Sequence, residues 1–151
     1  MKLTRVASMA TIILMVVGAC DLFPRPVVDK KDDGEILGKI VANKKEYEKG
    51  ETVEITFTIK NTTHETIILE RDDEPVQDIF LISSPDVKLR WSEERGRQIK
   101  KLRLKPGETS TIEWKLNGLD THLYSLMGIW WSADTREVEI VVRIEYGPAR
   151  Y

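Results

Sequence analysis

Residue types able to do chemistry are few in this chain. The two histidines, His64 and His122, each lie beside a turn, and neither has a second histidine at ligand spacing. No serine sits in a Gly-x-Ser-x-Gly turn, no His-Glu-x-x-His pair occurs, and no glycine-rich loop could cradle a phosphate. The acidic run Arg71-Asp72-Asp73-Glu74 lacks the alternating ligand spacing of a Ca²⁺ loop, and Pro75 makes it a solvated turn. The single cysteine, Cys20, allows neither an internal disulfide nor a cysteine-based zinc site. Neither a metal nor a cofactor is expected, and the inventory argues against an enzyme. What remains is chemistry of attachment and of recognition.

Recognition has two candidate sites. The segment Glu93-Glu94-Arg95-Gly96-Arg97-Gln98 is charged and lies between two expected strands. A substrate-mimicking inhibitor needs a rigid, exposed, extended loop pinned at both ends by a scaffold, so that little ordering entropy is lost on binding. Glu94, Arg95, Gly96 and Arg97 are the expected binding loop, with Gly96 permitting positive φ and either arginine reaching an acidic pocket. The plainer alternative is a mobile charged loop. Trp130 and Trp131 are adjacent, so on a strand one ring points inward and the other outward, where an indole serves as an interface anchor. Alternatively, the outward ring lies over a neighbouring strand or a lysine stem; the order of the two is open. Trp91 and Trp114 fall at inward-phased positions and read as core.

Attachment centres on Cys20. Lys2 and Arg5 make a short basic start, and Val6 to Ala19 is apolar or small, too short for the roughly 20 residues of a spanning helix. The boundary Val17-Gly18-Ala19-Cys20 resembles the lipobox of bacterial lipoproteins. That resemblance implies cleavage before Cys20, diacylglycerol on its thiol, further acylation at its amine, and a lipid anchor on the extracytoplasmic face of the cell membrane. Two or three acyl chains hold stably where one does not. Asp21 resembles, in an enteric-type envelope, the signal that retains lipoproteins at the inner membrane. The expected organisation is therefore a leader over 1–19, a lipidated tether over 20–34, and a domain over 35–151. The tether mixes prolines with charge and shows no period; its last fourteen residues would reach roughly 45 Å.

A chain of 151 residues that is 41% hydrophobic and 32% charged can bury one core of ordinary size. Its net charge of −2 argues against a nucleic-acid partner, which requires a basic face. The partners expected are a protein and, through Cys20, the membrane. Beyond Gly34 the apolar period is two. Val53, Ile55, Phe57 and Ile59 alternate with Glu54, Thr56 and Thr58; Ile112, Trp114 and Leu116 alternate with Glu113 and Lys115; and Val138, Ile140, Val142 and Ile144 repeat the pattern. Weaker strands are expected over 36–42, 66–70, 78–83, 87–91, 99–104 and 123–131. Turns at Lys49-Gly50-Glu51, Asn61-Thr62-Thr63, Ser84-Pro85-Asp86, Lys105-Pro106-Gly107 and Asn117-Gly118 separate them. Seven to nine short strands without a convincing helix indicate an all-β, immunoglobulin-like antiparallel sandwich, though not an antibody-type one, since the disulfide is missing.

Several segments recur together in order: Tyr47-Glu48-Lys49-Gly50-Glu51, Ile59-Lys60-Asn61-Thr62-Thr63, Gln77-Asp78-Ile79-Phe80, Arg90-Trp91-Ser92, Leu102 to Glu108, and Ile112-Glu113-Trp114. The set resembles the intracellular proteinase inhibitor (BsuPI) family over about Gly38 to Tyr146. The resemblance implies an immunoglobulin-like sandwich and inhibition of a serine protease. Two features depart from it: Gly118 to Tyr124 is shorter than the family's usual segment, and an export signal precedes a domain named for a cytoplasmic target. Two functions stay open, a tethered inhibitor acting on an envelope protease and a non-inhibitory module binding an envelope protein or glycan.

Overall fold

The computed structural model describes residues 25–147. The expected leader over 1–19 and Cys20 lie outside the described residues. Among those described, eleven strands and one four-residue helical turn follow in the order β1 (Val27–Asp32), β2 (Ile36–Ala42), β3 (Glu46–Glu48), β4 (Val53–Asn61), β5 (Ile67–Glu70), β6 (Gln77–Ser83), β7 (Asp86–Arg90), α1 (Trp91–Glu94), β8 (Lys101–Leu104), β9 (Thr109–Leu116), β10 (His122–Ser132) and β11 (Asp134–Glu145). They form a four-stranded sheet β1-β2-β4-β9, a five-stranded sheet β3-β11-β10-β6-β7, and a small β5-β8 ladder. Every pairing is antiparallel except β3 with β11. The all-β sandwich expected from the alternation is the fold observed, with more strands than the seven to nine anticipated.

The alternation explains the packing. On β4 the side chains of Val53, Ile55, Phe57 and Ile59 are buried while Glu54 and Lys60 are exposed. β9 repeats this with Ile112, Trp114 and Leu116, and β11 with Val138, Ile140, Val142 and Ile144. The inward rows of the two large sheets meet as one core, each large side chain contributing about 1.5–3 kcal/mol on burial. Two glycines let the sheets approach. A Cβ on Gly38 would stand 2.5 Å from Trp130 Cη2, and one on Gly128 2.6 Å from Phe57 Cδ2.

Val27–Asp32, read from sequence as part of a tether, are instead strand β1, paired with β2 from Val27↔Ala42 to Asp32↔Leu37. No dry face announces it, because none of its six side chains is buried: Val27 and Asp29 are half-buried and the other four exposed, as suits a charged edge strand. It also ties the sheets together: Asp29 Oδ2 accepts the Glu139 N–H at 2.9 Å. The β1–β2 turn is closed by Asp33, whose Oδ1 accepts the N–H groups of Glu35 and Ile36.

Candidate functional site

The expected binding loop is not extended. Trp91–Glu94 make a helical turn, and Arg95 continues it at φ −82°, ψ −10°. Gly96 then takes φ +60°, the left-handed region. Its N–H donates to Glu93 O at 3.2 Å and that of Arg97 to Ser92 O at 3.0 Å, the two bonds of a Schellman closure. Glu94, Arg95, Gly96 and Arg97 are all exposed, but on a closed turn and not on a substrate-like strand.

A turn this short does not hold itself together; tertiary contacts hold it. Arg90, at the N-cap, makes no side-chain cap. Asp78 of β6 supplies one from across the fold: its Oδ1 accepts the Ser92 N–H at 3.0 Å and the Ile79 N–H at 2.9 Å, and its Oδ2 accepts the Ser92 hydroxyl at 2.6 Å. Asp78 is buried, and burial pushes its carboxyl above the usual aspartate range, against the pull of the Ser92 bonds. One residue earlier, Gln77 reaches the opposite sheet. Its Nε2 donates to Ser110 O at 3.1 Å and its Oε1 accepts the Ser110 hydroxyl at 2.6 Å. Trp91 Nε1 donates to Glu113 O at 3.2 Å.

These clamps frame an open groove of about 840 Å³. One wall is the segment running from Arg95 to Leu102, with Trp91 beneath it; the other is Ser110–Glu113 of β9. Among the described residues, β9 has β4 on one side and no strand on the other. The first wall is anchored from behind, Val76 N–H donating to Ile99 O and Arg71 N–H to Lys100 O. From 95 to 105 the chain carries Arg95, Arg97, Lys100, Lys101, Arg103 and Lys105 and no acid. Of these, Lys101 meets Glu70 at 3.7 Å, a pair exposed on both sides. The groove therefore presents a basic wall, opposed by the carboxylate of Glu113 alone among its lining side chains.

The paired tryptophans lie away from this groove. Trp130 is fully buried, its Nε1 donating to Asp33 Oδ2 at 3.2 Å, and it belongs to the core. Trp131 points outward but is half-buried, with the Arg71 guanidinium 4.1 Å above its ring. Arg71 also holds Asp73 at 3.2 Å, and that bond lowers the Asp73 carboxyl. Neither ring is a free anchor. Trp91 and Trp114 are both buried, Trp91 on the helical turn and not on a strand as expected. Among the described residues, no group of three or more His, Cys, Asp or Glu is arranged to hold a metal.

The segments Gln77-Asp78, Arg90-Trp91-Ser92 and Glu113 thus converge on one clamp. A second clamp unites two more: buried Asn61 donates through Nδ2 to Glu65 O and Leu104 O, while its backbone pairs with Gly107 and Glu108 of the Pro-Gly-Glu turn. The family model described as intracellular proteinase inhibitor (BsuPI) matches residues 40–130, the stretch that contains both clamps. The chain belongs to this family. Membership points to a non-catalytic protein. Comparison with curated proteins gives no match. Solved structures similar to this chain include a β-glucosidase from Listeria innocua, at TM-score 0.43 and 16% identity over 80% of this chain. Another is the CARDB domain of a Pyrococcus furiosus protein in complex with di-metal ions, at TM-score 0.45 and 12% identity, covering 83% of this chain and 96% of that one. This chain spans 16% of the length of the β-glucosidase.

Sequence reading missed Asp78, Gln77 and Ser110 as a unit. The available signal was Gln77-Asp78 opening an otherwise apolar strand, where polar side chains must find internal partners. The basic run from Arg95 to Lys105 is a second such signal in the sequence.

Proposed function

We propose that this protein is a membrane-anchored, extracytoplasmic binding protein of the proteinase-inhibitor type, regulating an envelope protease. The observation carrying the reading is a basic groove beside the edge strand β9, within a domain of the BsuPI family. An acidic or extended segment of the partner would add its backbone to β9 and its carboxylates to Arg95, Arg97 and Lys100. Attachment is through Cys20. Its thiol loses a proton and takes a diacylglyceryl group from a phospholipid whose phosphate headgroup leaves, after which the bond before Cys20 is hydrolysed.

The helical shape of 91–96 favours a second reading on one point. A closed turn does not thread a protease active site as substrate does, so the chain binds beside the active site or binds without inhibiting. The deciding experiment titrates the purified chain against extracytoplasmic serine proteases, measuring both complex formation and residual activity. Stoichiometric inhibition supports the inhibitor; tight binding with full activity supports the plain binding module. In either case Arg95→Glu with Arg97→Glu should weaken the complex about ten- to a hundredfold with unchanged melting temperature. Binding that survives the double reversal removes the groove from the account.

A further inference from the structure

The assignment of β1 shortens the leash. If Cys20 carries the lipid, only six residues separate it from Val27, the first residue of the sheet. Fully extended, that connection spans at most about 25 Å, against the roughly 45 Å that a tether to residue 34 would allow. The end of the sandwich at Val27 must therefore stay close to the headgroups. Val27 pairs with Ala42, and β2 then passes through the 43–45 connection into β3, beside Arg143 of β11. The same end holds the start of β10, where Leu123 pairs with Arg143.

That end is also where exposed apolar surface collects. Seven large apolar side chains are exposed among the described residues, and five of them (Val28, Val87, Leu123, Val141 and Tyr146) lie toward it. Leu123, Val141 and Tyr146 are 51%, 40% and 75% exposed. They surround Arg143 on the outer flank of the five-stranded sheet, where shallow depressions lined by Leu123 and Arg143 connect them. Lys49 lies 5.5 Å from the Tyr146 ring. At the same end the outer face of the other sheet carries the Glu54–Lys115 pair at 3.5 Å and one exposed large apolar side chain, Val28. Arg143 pairs with Glu145 at 3.3 Å and Lys49 with Asp120 at 3.7 Å, and Glu46 lines one of the depressions. The aliphatic side chains and the tyrosine, beside these long cationic stems, suit a bilayer interface.

We propose that the flank formed by Leu123, Val141 and Tyr146 around Arg143 rests on the surface of the lipid bilayer. This rests on the reading of Cys20 as the lipid attachment point. The contact orients the domain: the turn at Lys105–Glu108 and the Ser110 end of the groove belong to the opposite end, since Thr109 pairs with Lys60 and Leu116 with Val53. Lipid contact at one end leaves the basic groove facing away from the membrane.

The test uses the full chain, expressed in a bacterium, purified from its membranes and returned to phosphatidylethanolamine–phosphatidylglycerol vesicles containing nitroxide-labelled lipid. Lipidation turns the sulfur of the single native cysteine into a thioether, so an introduced cysteine can be labelled alone with a fluorophore. Leu123→Cys and Tyr146→Cys should be quenched several-fold more than Lys105→Cys, which lies at the far end. Equal weak quenching at all three, with the diacylglyceryl mass present on Cys20, overturns the docking and leaves the anchor standing. A mass showing a free Cys20 thiol removes the anchor and the docking together. Oxidative cross-linking of Leu123→Cys into a dimer would assign the flank to a second copy and also overturn the proposal.

Discussion

The carboxylate of Asp78 is buried without an ion pair to neutralise it, and it holds the turn that carries Arg95 and Arg97. Asp78→Ala removes the acceptor of three hydrogen bonds and strands the N–H of Ile79 together with the N–H and hydroxyl of Ser92. Unmet buried donors cost about 1–3 kcal/mol each, so a total of about 3–5 kcal/mol is expected after some rehydration. Asp78→Asn keeps an acceptor for both backbone donors and can offer its amide to the Ser92 oxygen, losing only the charge. Burial raises the Asp78 carboxyl, so the folded state binds its proton more tightly than the unfolded state does. Stability from this group is then fully present below the ordinary aspartate value of 3.8 and falls as pH rises from there through the higher folded value. Urea unfolding followed by tryptophan fluorescence, at a series of pH values, reads both effects. Wild type should gain on Asp78→Asn as pH falls toward 4, while Asp78→Ala stays well below both. If wild type instead loses ground to Asp78→Asn on acidification, the hydrogen bonds outweigh burial and the reasoning fails.

Gly38→Ala should cost about 1–3 kcal/mol, because the new methyl meets the Trp130 ring inside the core, and Gly128→Ala should cost similarly against Phe57. Gly118→Ala, at φ +69° with open space around it, should cost only about 1 kcal/mol of backbone strain, so equal losses in chemical denaturation at all three sites would contradict the packing account. Tyr47, whose hydroxyl donates to Asn43 Oδ1 at 2.5 Å and accepts the Lys44 N–H at 2.9 Å, is pushed up to about 12 by burial. Absorbance titration should show one tyrosine ionising only near there, a step that Tyr47→Phe removes. Wild type should lose stability relative to that variant as pH rises from 10 toward 12, and a profile parallel to that of Tyr47→Phe would refute the assignment.

The sheet was legible wherever one face is dry and the other wet, as in β4, β9 and β11. β1 was not, because an edge strand with charge on both faces has no period to read, and its place is decided by backbone pairing with β2 and by one Asp29 bond. The sequence suggests an extended loop over Glu93–Gln98 because Glu, Arg and Gly suit either shape. What bends it is a carboxylate from β6, fourteen positions earlier in the chain. The outward orientation of one tryptophan follows from adjacency alone. Its cover does not, since Arg71 comes from another part of the chain and no local rule brings it to Trp131.

The segments that carry the family resemblance turn out to be clamps. Asp78 to Ser92, Trp91 to Glu113, and Asn61 to the Pro-Gly-Glu turn each join two of those segments, and Gln77 joins one of them to Ser110 of β9. All of them are inward or sheet-to-sheet contacts, and none is a side chain left free for a partner. In this chain these positions therefore hold the groove open and in one shape. Under the proposed function, the choice of partner would fall to the exposed cations from Arg95 to Lys101 and to the outer edge of β9, which the clamps position. It follows that exchanging residues 97–101 between family members should move binding preference while leaving stability nearly unchanged, whereas exchanging a clamp residue should do the reverse.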